Sequence, residues 1–253
     1  PRLEGEEMPV DLPGFYKGDR TTIHLPEVQT RLMQALHHTG KPVVFVMQTG
    51  SALAIKWEAE NIPAIVNAWY GGQSAGDAVA DVLFGDYNPA GRLPVTFYRS
   101  DADLPSYEDY SMAGRTYRYF EKEALYPFGF GLSYSTFSYS NLRLPGEVRV
   151  GEPVEVAIDV RNTGQWDGEE VVQLYLTHHS FTYRVPRCAL KNFRRIGLKK
   201  GELKTLHFTL PAEALQIISE QGTALQPQGK ISIFVGGGQP RLSVGVEKEV
   251  HIL

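Results

Sequence analysis

GRTYRYFEKEALYPFGFGLSYSTFSY, residues 114–139, divides the chain into two parts of different character. Nine of its 26 positions are Tyr or Phe (Tyr117, Tyr119, Phe120, Tyr126, Phe128, Phe130, Tyr134, Phe137 and Tyr139), against 11% aromatic residues in the chain as a whole. Rings at this density build a large, rigid contact surface, unlike the polar composition of a flexible linker. Left in water they would form an unusually large apolar patch. Gly129 and Gly131 alternate with rings in PFGFG, and glycine reaches backbone conformations that a β-carbon forbids, so the segment reads as a bent loop pressed against other structure. Residues 114–140 are therefore expected to form a fixed seam between a mixed α/β part and an all-β part.

Upstream of the seam the chain alternates strand and helix. Pro26 opens a helix with Val28, Leu32, Ala35 and Leu36 on one face, and Gly40 stands where a left-handed cap belongs. VVFVM at 43–47 and IPAIVNAW at 62–69 are continuous apolar runs, as in parallel strands buried on both faces, with a short helix at 53–60 between them. A further helix carries Ala75, Val79, Val82 and Leu83 and ends at Gly85. This βαβα order is that of an open parallel α/β sheet. LPVTF at 93–97 is a candidate third strand, yet sheets average about five strands. The shortage, together with the opening PRLEGEEMPV without an initiating Met, reads as a piece of a longer chain.

Downstream, segments at 141–144, 153–161, 170–177, 204–210 and 230–236 alternate apolar and polar residues, with turns at Asn162-Thr163-Gly164, Lys200-Gly201 and Gln228-Gly229. In EPVEVAIDV, Val154, Val156, Ile158 and Val160 face one way. Short strands at this spacing predict an antiparallel sandwich of immunoglobulin or fibronectin III type. The fold class is thus α/β followed by all-β.

Composition excludes several classes of function. A net charge of -4 and 21% charged residues leave no basic stripe for nucleic acid. No apolar run is long enough to span a membrane. One cysteine, Cys188, cannot form an internal disulfide. GGQSAGDAVADVLFGDYNPAG contains neither GxGxxG nor GxxxxGK[ST], so its glycines are read as packing and turn geometry. His37-His38 and His178-His179 are adjacent pairs, and neighbours in a helix or strand point apart, so no metal chelate is implied. Ser51 in TGSA lacks the context of a hydrolase nucleophile. Residues 3–20, LEGEEMPVDLPGFYKGDR, hold Glu4, Glu6, Glu7, Asp11 and Asp19 without periodicity and read as an acidic loop. Such loops are either solvated turns or seats of catalytic groups.

Several long motifs in order carry a specific resemblance. LEGEE followed by GDRTTIHLPEVQ, then KPVVFVMQTGSA, NAWYGGQSAGDAVADVLFGDYNPAGRLPVTFY, GRTYRYF and YPFGFGLSYSTF resemble the C-terminal portion of family 3 glycoside hydrolases, the family of β-glucosidases and β-xylosidases. NTGQWDGEEVVQLYL and LKNFRRIGLKKGE are similar to the family's fibronectin-like domain. The resemblance implies that residues 1–113 are the C-terminal part of the α/β sandwich domain and residues 141–253 the fibronectin III-like domain. It also implies an upstream (β/α)8-type barrel, on the same or a separate chain, that carries an Asp nucleophile.

The same resemblance implies a retaining exo-β-glycosidase acting on oligosaccharides or on aryl and alkyl β-glycosides, with export to the periplasm or medium. GRTYRYF with YPFGFGLSY and the ExE spacing look somewhat more like the xylosidase branch, though glucosidases share most of it, and the sugar stays open between xylose and glucose. This chemistry requires neither metal nor redox cofactor. The general acid/base lies in patterns such as ExEGxDR, and aligning LEGEE with that pattern puts it at Glu6, with Glu4 as the second choice and Glu7 open, because MPVDLPGFYK intervenes before Gly18-Asp19-Arg20. Asp19 and Arg20 match the DR pair and are read as a structural ion pair fixing the loop. Phe15, Tyr16 and Trp69 are candidates for lining a sugar site, with packing as the alternative. The rival reading is a non-catalytic module that binds a carbohydrate or a protein. A stand-alone α/β ligand-binding protein is disfavoured by the strand shortage and the missing phosphate loop.

Overall fold

The shortest paired strands come first. In the computed structural model, which describes residues 12–179 and 184–253, β1 (Phe15–Tyr16) and β2 (Asp19–Arg20) pair antiparallel across Lys17 and Gly18. Both turn residues have positive φ, 48° and 88°. That is the two-residue type I′ loop whose twist matches the flanking strands, and glycine at its second position removes part of the steric cost.

Contacts group the chain into two units. The first takes the residues up to Leu83 together with Thr96–Gly114 and Glu121–Tyr126; the second takes Phe84–Val95, Arg115–Phe120 and Pro127–Leu253. Residues of the aromatic stretch therefore belong to both.

In the first unit α1 (Glu27–His38) follows Pro26 and ends at Gly40, which has φ 70° and donates its N–H to the His37 carbonyl at 3.1 Å. β3 (Val44–Met47), α2 (Lys56–Asn61), β4 (Ala64–Asn67) and α3 (Ala75–Phe84) follow in order. β3 and β4 pair in parallel from Val44↔Ala64 to Met47↔Asn67, a right-sized βαβ step with α2 as its crossover. Met47, Leu53, Ala54, Ile55, Ile62 and Phe97 supply the buried apolar residues of this unit, and Glu58 of α2 is buried with the Thr30 hydroxyl donating to it at 2.8 Å. Helix α1 buries no residue, and Val28, Leu32 and Leu36 at i, i+4 and i+8 are exposed. The candidate third strand at 93–97 does not form. Phe97 makes an isolated antiparallel bridge to Tyr126, Leu93 bonds to Phe130, and Pro94 between them lacks the N–H that a ladder needs.

The second unit includes the short helix α4 (Thr116–Tyr119) and builds two sheets. β5 (Phe137–Arg143), β6 (Glu147–Val148), β7 (Val154–Asn162), β8 (Gly168–His178), β9 (Ala189–Leu198), β10 (Leu203–Leu210), β11 (Ile217–Ile218), β12 (Ala224–Leu225), β13 (Gly229–Gly236) and β14 (Gly245–Ile252) follow in order. One sheet runs β10-β7-β5 and the other β6-β14-β13-β8-β9. Val154, Val156, Ile158 and Val160 of β7, Val172, Leu174 and Leu176 of β8, and Ile231, Ile233 and Val235 of β13 form its core, all essentially inaccessible to solvent. Removing side chains of this kind from water at about 25 cal/mol per Å² is the main force closing a sandwich. The sandwich fold is as expected, with β9 and β14 as strands that the alternation pattern did not mark.

The glycines of PFGFG are required by contact. Gly129 has φ 78°, and a β-carbon there would lie 2.4 Å from Gln173 Oε1 and 2.9 Å from the Tyr175 hydroxyl. The Gln173 amide donates to the Gly129 and Gly237 carbonyls, both at 3.1 Å, and receives the Tyr175 hydroxyl at 2.6 Å. Tyr117 stacks on Phe128 with centroids 4.2 Å apart and meets Tyr175 edge-on at 6.1 Å. Arg92 reaches Glu170 at 2.7 Å with both side chains shielded, 9% and 4% exposed. Burial pushes the Glu170 carboxyl up, against the opposing pull of Arg92.

Candidate functional site

In open parallel sheets, ligands bind beyond the carboxyl ends of the strands. In the first unit those ends belong to β3 and β4. The Ala68 N–H donates to the Met47 carbonyl at 2.8 Å, so the two exits begin side by side. After β3, Thr49 is buried and closes a local turn in which its hydroxyl donates to the Ser51 carbonyl at 3.0 Å. Gly50 admits no side chain, because a β-carbon would lie 2.7 Å from the Tyr70 ring. After β4, Trp69 is left-handed, with φ 55°, a conformation that costs a non-glycine residue about 1–2 kcal/mol. Backbone strain of this kind marks places where geometry is held by its surroundings. Here the Trp69 ring is held edge-on to buried Phe97 at 6.3 Å, and Phe97 to Tyr126 at 6.3 Å.

Both amide atoms of Asn67, at the last position of β4, are buried without a hydrogen-bond partner, as is the Thr96 hydroxyl. Unpaired buried polar groups are costly, at about 1–3 kcal/mol each. Those of Asn67 lie at the carboxyl end of β4, where open parallel sheets bind ligands.

The segment that follows the acidic loop is pinned to this unit at several points. Thr21 N–H donates to the Gly14 carbonyl at 2.9 Å, His24 bridges Ala54, and the Ala54 N–H donates to the Ile23 carbonyl at 2.9 Å. Asp101 is the main clamp: its two oxygens accept the Thr22 hydroxyl at 2.6 Å and the Ile23 N–H at 2.8 Å, with His24 Nε2 at 4.0 Å. The Thr22 hydroxyl above all, aided by the Ile23 N–H and by neighbouring His24 and Arg20, holds the Asp101 carboxyl below the usual carboxylate range. The turn carrying Asp101 is itself fastened by Lys122–Asp103 at 3.1 Å, while Arg99–Glu123 at 2.8 Å fixes the chain just before it.

The sequence-derived candidates fall as follows. Glu4, Glu6 and Glu7 lie outside the described residues. Phe15 is half-buried and Tyr16 exposed on the β1–β2 hairpin, where Lys17 Nζ sits 5.4 Å from the Tyr16 ring centroid. Asp19 and Arg20 are exposed on β2, and the Arg20 guanidinium donates to the His24 carbonyl. Trp69 is half-buried against Phe97. Among the described residues no ring contact joins Phe15 or Tyr16 to Trp69. Asp101 and Asn67 were not singled out in the sequence, where an Asp in RSDADLP and an Asn at the end of a strand carry no mark of their role. Among the described residues no group of three or more His, Cys, Asp or Glu is arranged to hold a metal ion, and no helix is long and apolar enough to cross a membrane.

Comparison with known proteins bears on both parts of the chain. The family model for the glycosyl hydrolase family 3 C-terminal domain matches residues 1–134, and that for the fibronectin type III-like domain matches residues 170–239. Xylan 1,4-beta-xylosidase of Xylanibacter ruminicola is 48% identical over 237 residues, which are 93% of this chain and 27% of the relative. Periplasmic beta-glucosidase of Salmonella typhimurium is 40% identical over 240 residues, 89% of this chain and 31% of the relative. The crystal structure of beta-glucosidase from Listeria innocua in complex with glucose superposes with a TM-score of 0.82 at 32% identity, covering 94% of this chain and 35% of that one. The chain thus spans about a third or less of the length of these proteins.

Proposed function

Since the chain belongs to glycosyl hydrolase family 3, we propose that it is the downstream portion of a retaining exo-β-glycosidase that removes terminal β-linked xylose or glucose. The match of the family's C-terminal domain model over residues 1–134 carries this reading. The higher identity to the xylan 1,4-beta-xylosidase, 48% against 40% for the periplasmic beta-glucosidase, supports xylose first. The two-stranded parallel sheet and the exposed stripe of Val28, Leu32 and Leu36 on α1 support an upstream portion, on the same or a separate chain, as the partner of this one.

Retention needs two carboxyl groups about 5–5.5 Å apart, one attacking the anomeric carbon and one protonating the departing oxygen. In the proposed division of labour an upstream barrel supplies the Asp nucleophile. Glu6 is the general acid that then becomes the base for water, with Glu4 as the second choice. The acid must keep its proton near neutral pH, which requires burial or a nearby negative charge. The β1–β2 hairpin and the Asp101 clamp give the acidic loop a fixed downstream anchor, and Trp69, Phe15 and Tyr16 offer apolar ring faces for sugar. The chemistry calls for no metal.

The test uses the enzyme complete with its upstream barrel. Glu6→Gln should lower kcat/KM by about 10²–10⁴ on a xyloside with a poor leaving group, and far less on an aryl xyloside whose leaving group needs no proton. Equal losses on both substrates would remove Glu6 from the acid role, and the same pair of assays on Glu4→Gln would then decide the second choice.

A further inference from the structure

Apart from the strand-end region, the second unit carries an open groove of about 520 Å³ that the proposed reaction does not use. Its walls are the segment around Tyr87, the chain at Asp167 and the start of β8, and the turn from β9 into β10. That volume lies within the range of small-ligand sites.

The polar groups of the groove are fixed in place before any ligand arrives. Tyr87 donates its hydroxyl to Glu169 at 3.0 Å, and the Arg195 guanidinium reaches both. Glu202 accepts the Lys199 N–H at 2.7 Å and pairs with Lys204 at 3.4 Å, while Asp167 accepts the Lys200 N–H at 2.7 Å. Asn88 ties the walls together: its amide donates to the Asp167 carbonyl at 2.9 Å, and its own carbonyl accepts the Ser133 hydroxyl and the Tyr134 N–H, both at 2.8 Å. These carboxylates are oriented by hydrogen bonds, Glu169 and Glu202 are also paired with Arg195 and Lys204, and each keeps lone pairs for hydroxyl donors. An anion would meet four carboxylates against two ammonium groups among the lining residues.

Tyr87 supplies apolar ring surface among these acceptors. Tyr87 in the wall is 41% exposed, and Trp166, next in sequence to Asp167, is 66% exposed although its carbonyl is engaged by Ser135 and Asn162. Two glycines line the groove. A β-carbon on Gly168 would lie 2.7 Å from the Asn88 amide, whereas one on Gly197 would meet nothing within 4 Å.

We propose that this groove is a second carbohydrate site, which holds a neutral β-linked pentose or hexose oligosaccharide against the Tyr87 ring with its hydroxyls directed at Asp167, Glu169 and Glu202. A pyranose presents apolar C–H faces and a rim of hydroxyl donors, and the groove supplies ring and acceptors in the same combination. The reading under Proposed function enters only through the choice of sugar class. The site itself takes no part in bond cleavage.

The experiment is titration of the 253-residue chain with xylohexaose and with cellohexaose, followed by calorimetry or NMR shifts. Binding is expected in the millimolar range for at least one. Tyr87→Ala and Gly197→Ile should each weaken it about fivefold, the worth of one ring face, while Tyr87→Phe should stay within about twofold. Gly197→Ile fills open space on β9, so far-UV circular dichroism and the melting temperature should match wild type. Absence of binding to both sugars overturns the proposal, as does binding that survives Tyr87→Ala or Gly197→Ile. Capture of hexalysine by the groove in place of either sugar would identify a cationic-peptide site and equally overturn it. Because no turnover is measured, a failed acid assignment at Glu6 leaves this result unaffected.

Discussion

Arg92 and Glu170 form a shielded ion pair within the second unit, and removing one partner should cost much more than removing both. In Arg92→Met the carboxylate keeps the Val171 N–H at 2.7 Å but loses its guanidinium at 2.7 Å. Breaking a buried pair in this way costs about 3–5 kcal/mol, which lowers a melting temperature by roughly 6–20 °C in a domain of this size. The sign with pH follows from the folded carboxyl, whose affinity for its proton is already raised by burial. The folded state therefore holds the proton at pH values where the unfolded chain has released it, and stability falls as pH rises through the folded titration. Without Arg92 that difference widens. The deficit of Arg92→Met should be full near neutral pH and shrink at acidic pH, as Glu170 takes up its proton. Urea denaturation of wild type, Arg92→Met and Arg92→Met/Glu170→Met at both pH values closes the cycle, and the double variant should recover most of the loss. A deficit below about 1 kcal/mol, or one that does not change with pH, would refute the reasoning.

Two further outcomes follow from contacts already described. Gly129→Ala combines a left-handed φ with a β-carbon 2.4 Å from Gln173 Oε1, so it should destabilise the second unit by about 2–3 kcal/mol in urea melts, from strain plus the loss of one hydrogen bond; a loss under half that size would mean the loop relaxes freely. Asp101→Ala removes both acceptors of the segment after β2, and hydrogen exchange should quicken at the Ile23 amide while amides in β7 and β8 keep their protection. Unchanged exchange at Ile23 would show that the Ala54 pairing alone holds the segment.

Where periodicity was strong, the fold was legible. The four apolar positions of β7 alternate as the pleat demands, and all are buried. Gly40 and Gly85, read as helix ends, have φ 70° and 87°. β9 was missed because, as a sheet edge, it shows solvent the run Phe193, Arg194 and Arg195 and so has no alternation to detect. β14 was missed because GVEKEVHI places charge on an otherwise strand-like segment. LPVTF had strand composition, yet its bonding partners were loops, and composition does not record partners. The α1 stripe was read correctly as apolar and is nonetheless exposed, since a pattern states what a face requires and not whether the covering residues are in the same segment. The candidate site was legible only in its aromatic and acidic letters. Asp101 acts on Thr22 across a separation of 79 residues, and Asn88 joins Asp167 across the same separation; neither leaves a local trace.

The order of strands in the larger sheet also sets a schedule. β14 is last in sequence but lies between β6 and β13, and Val250 and Ile252 on it belong to the core. As the polypeptide is made, at roughly 5–20 residues per second, the β10-β7-β5 sheet can pair once residue 210 has emerged, yet the sheet facing it keeps an open edge along β13. That edge is a template for pairing with any neighbouring chain until residue 252 arrives. The nascent protein therefore passes through an interval in which β13 is sticky, and it is the arrival of β14 that ends the interval.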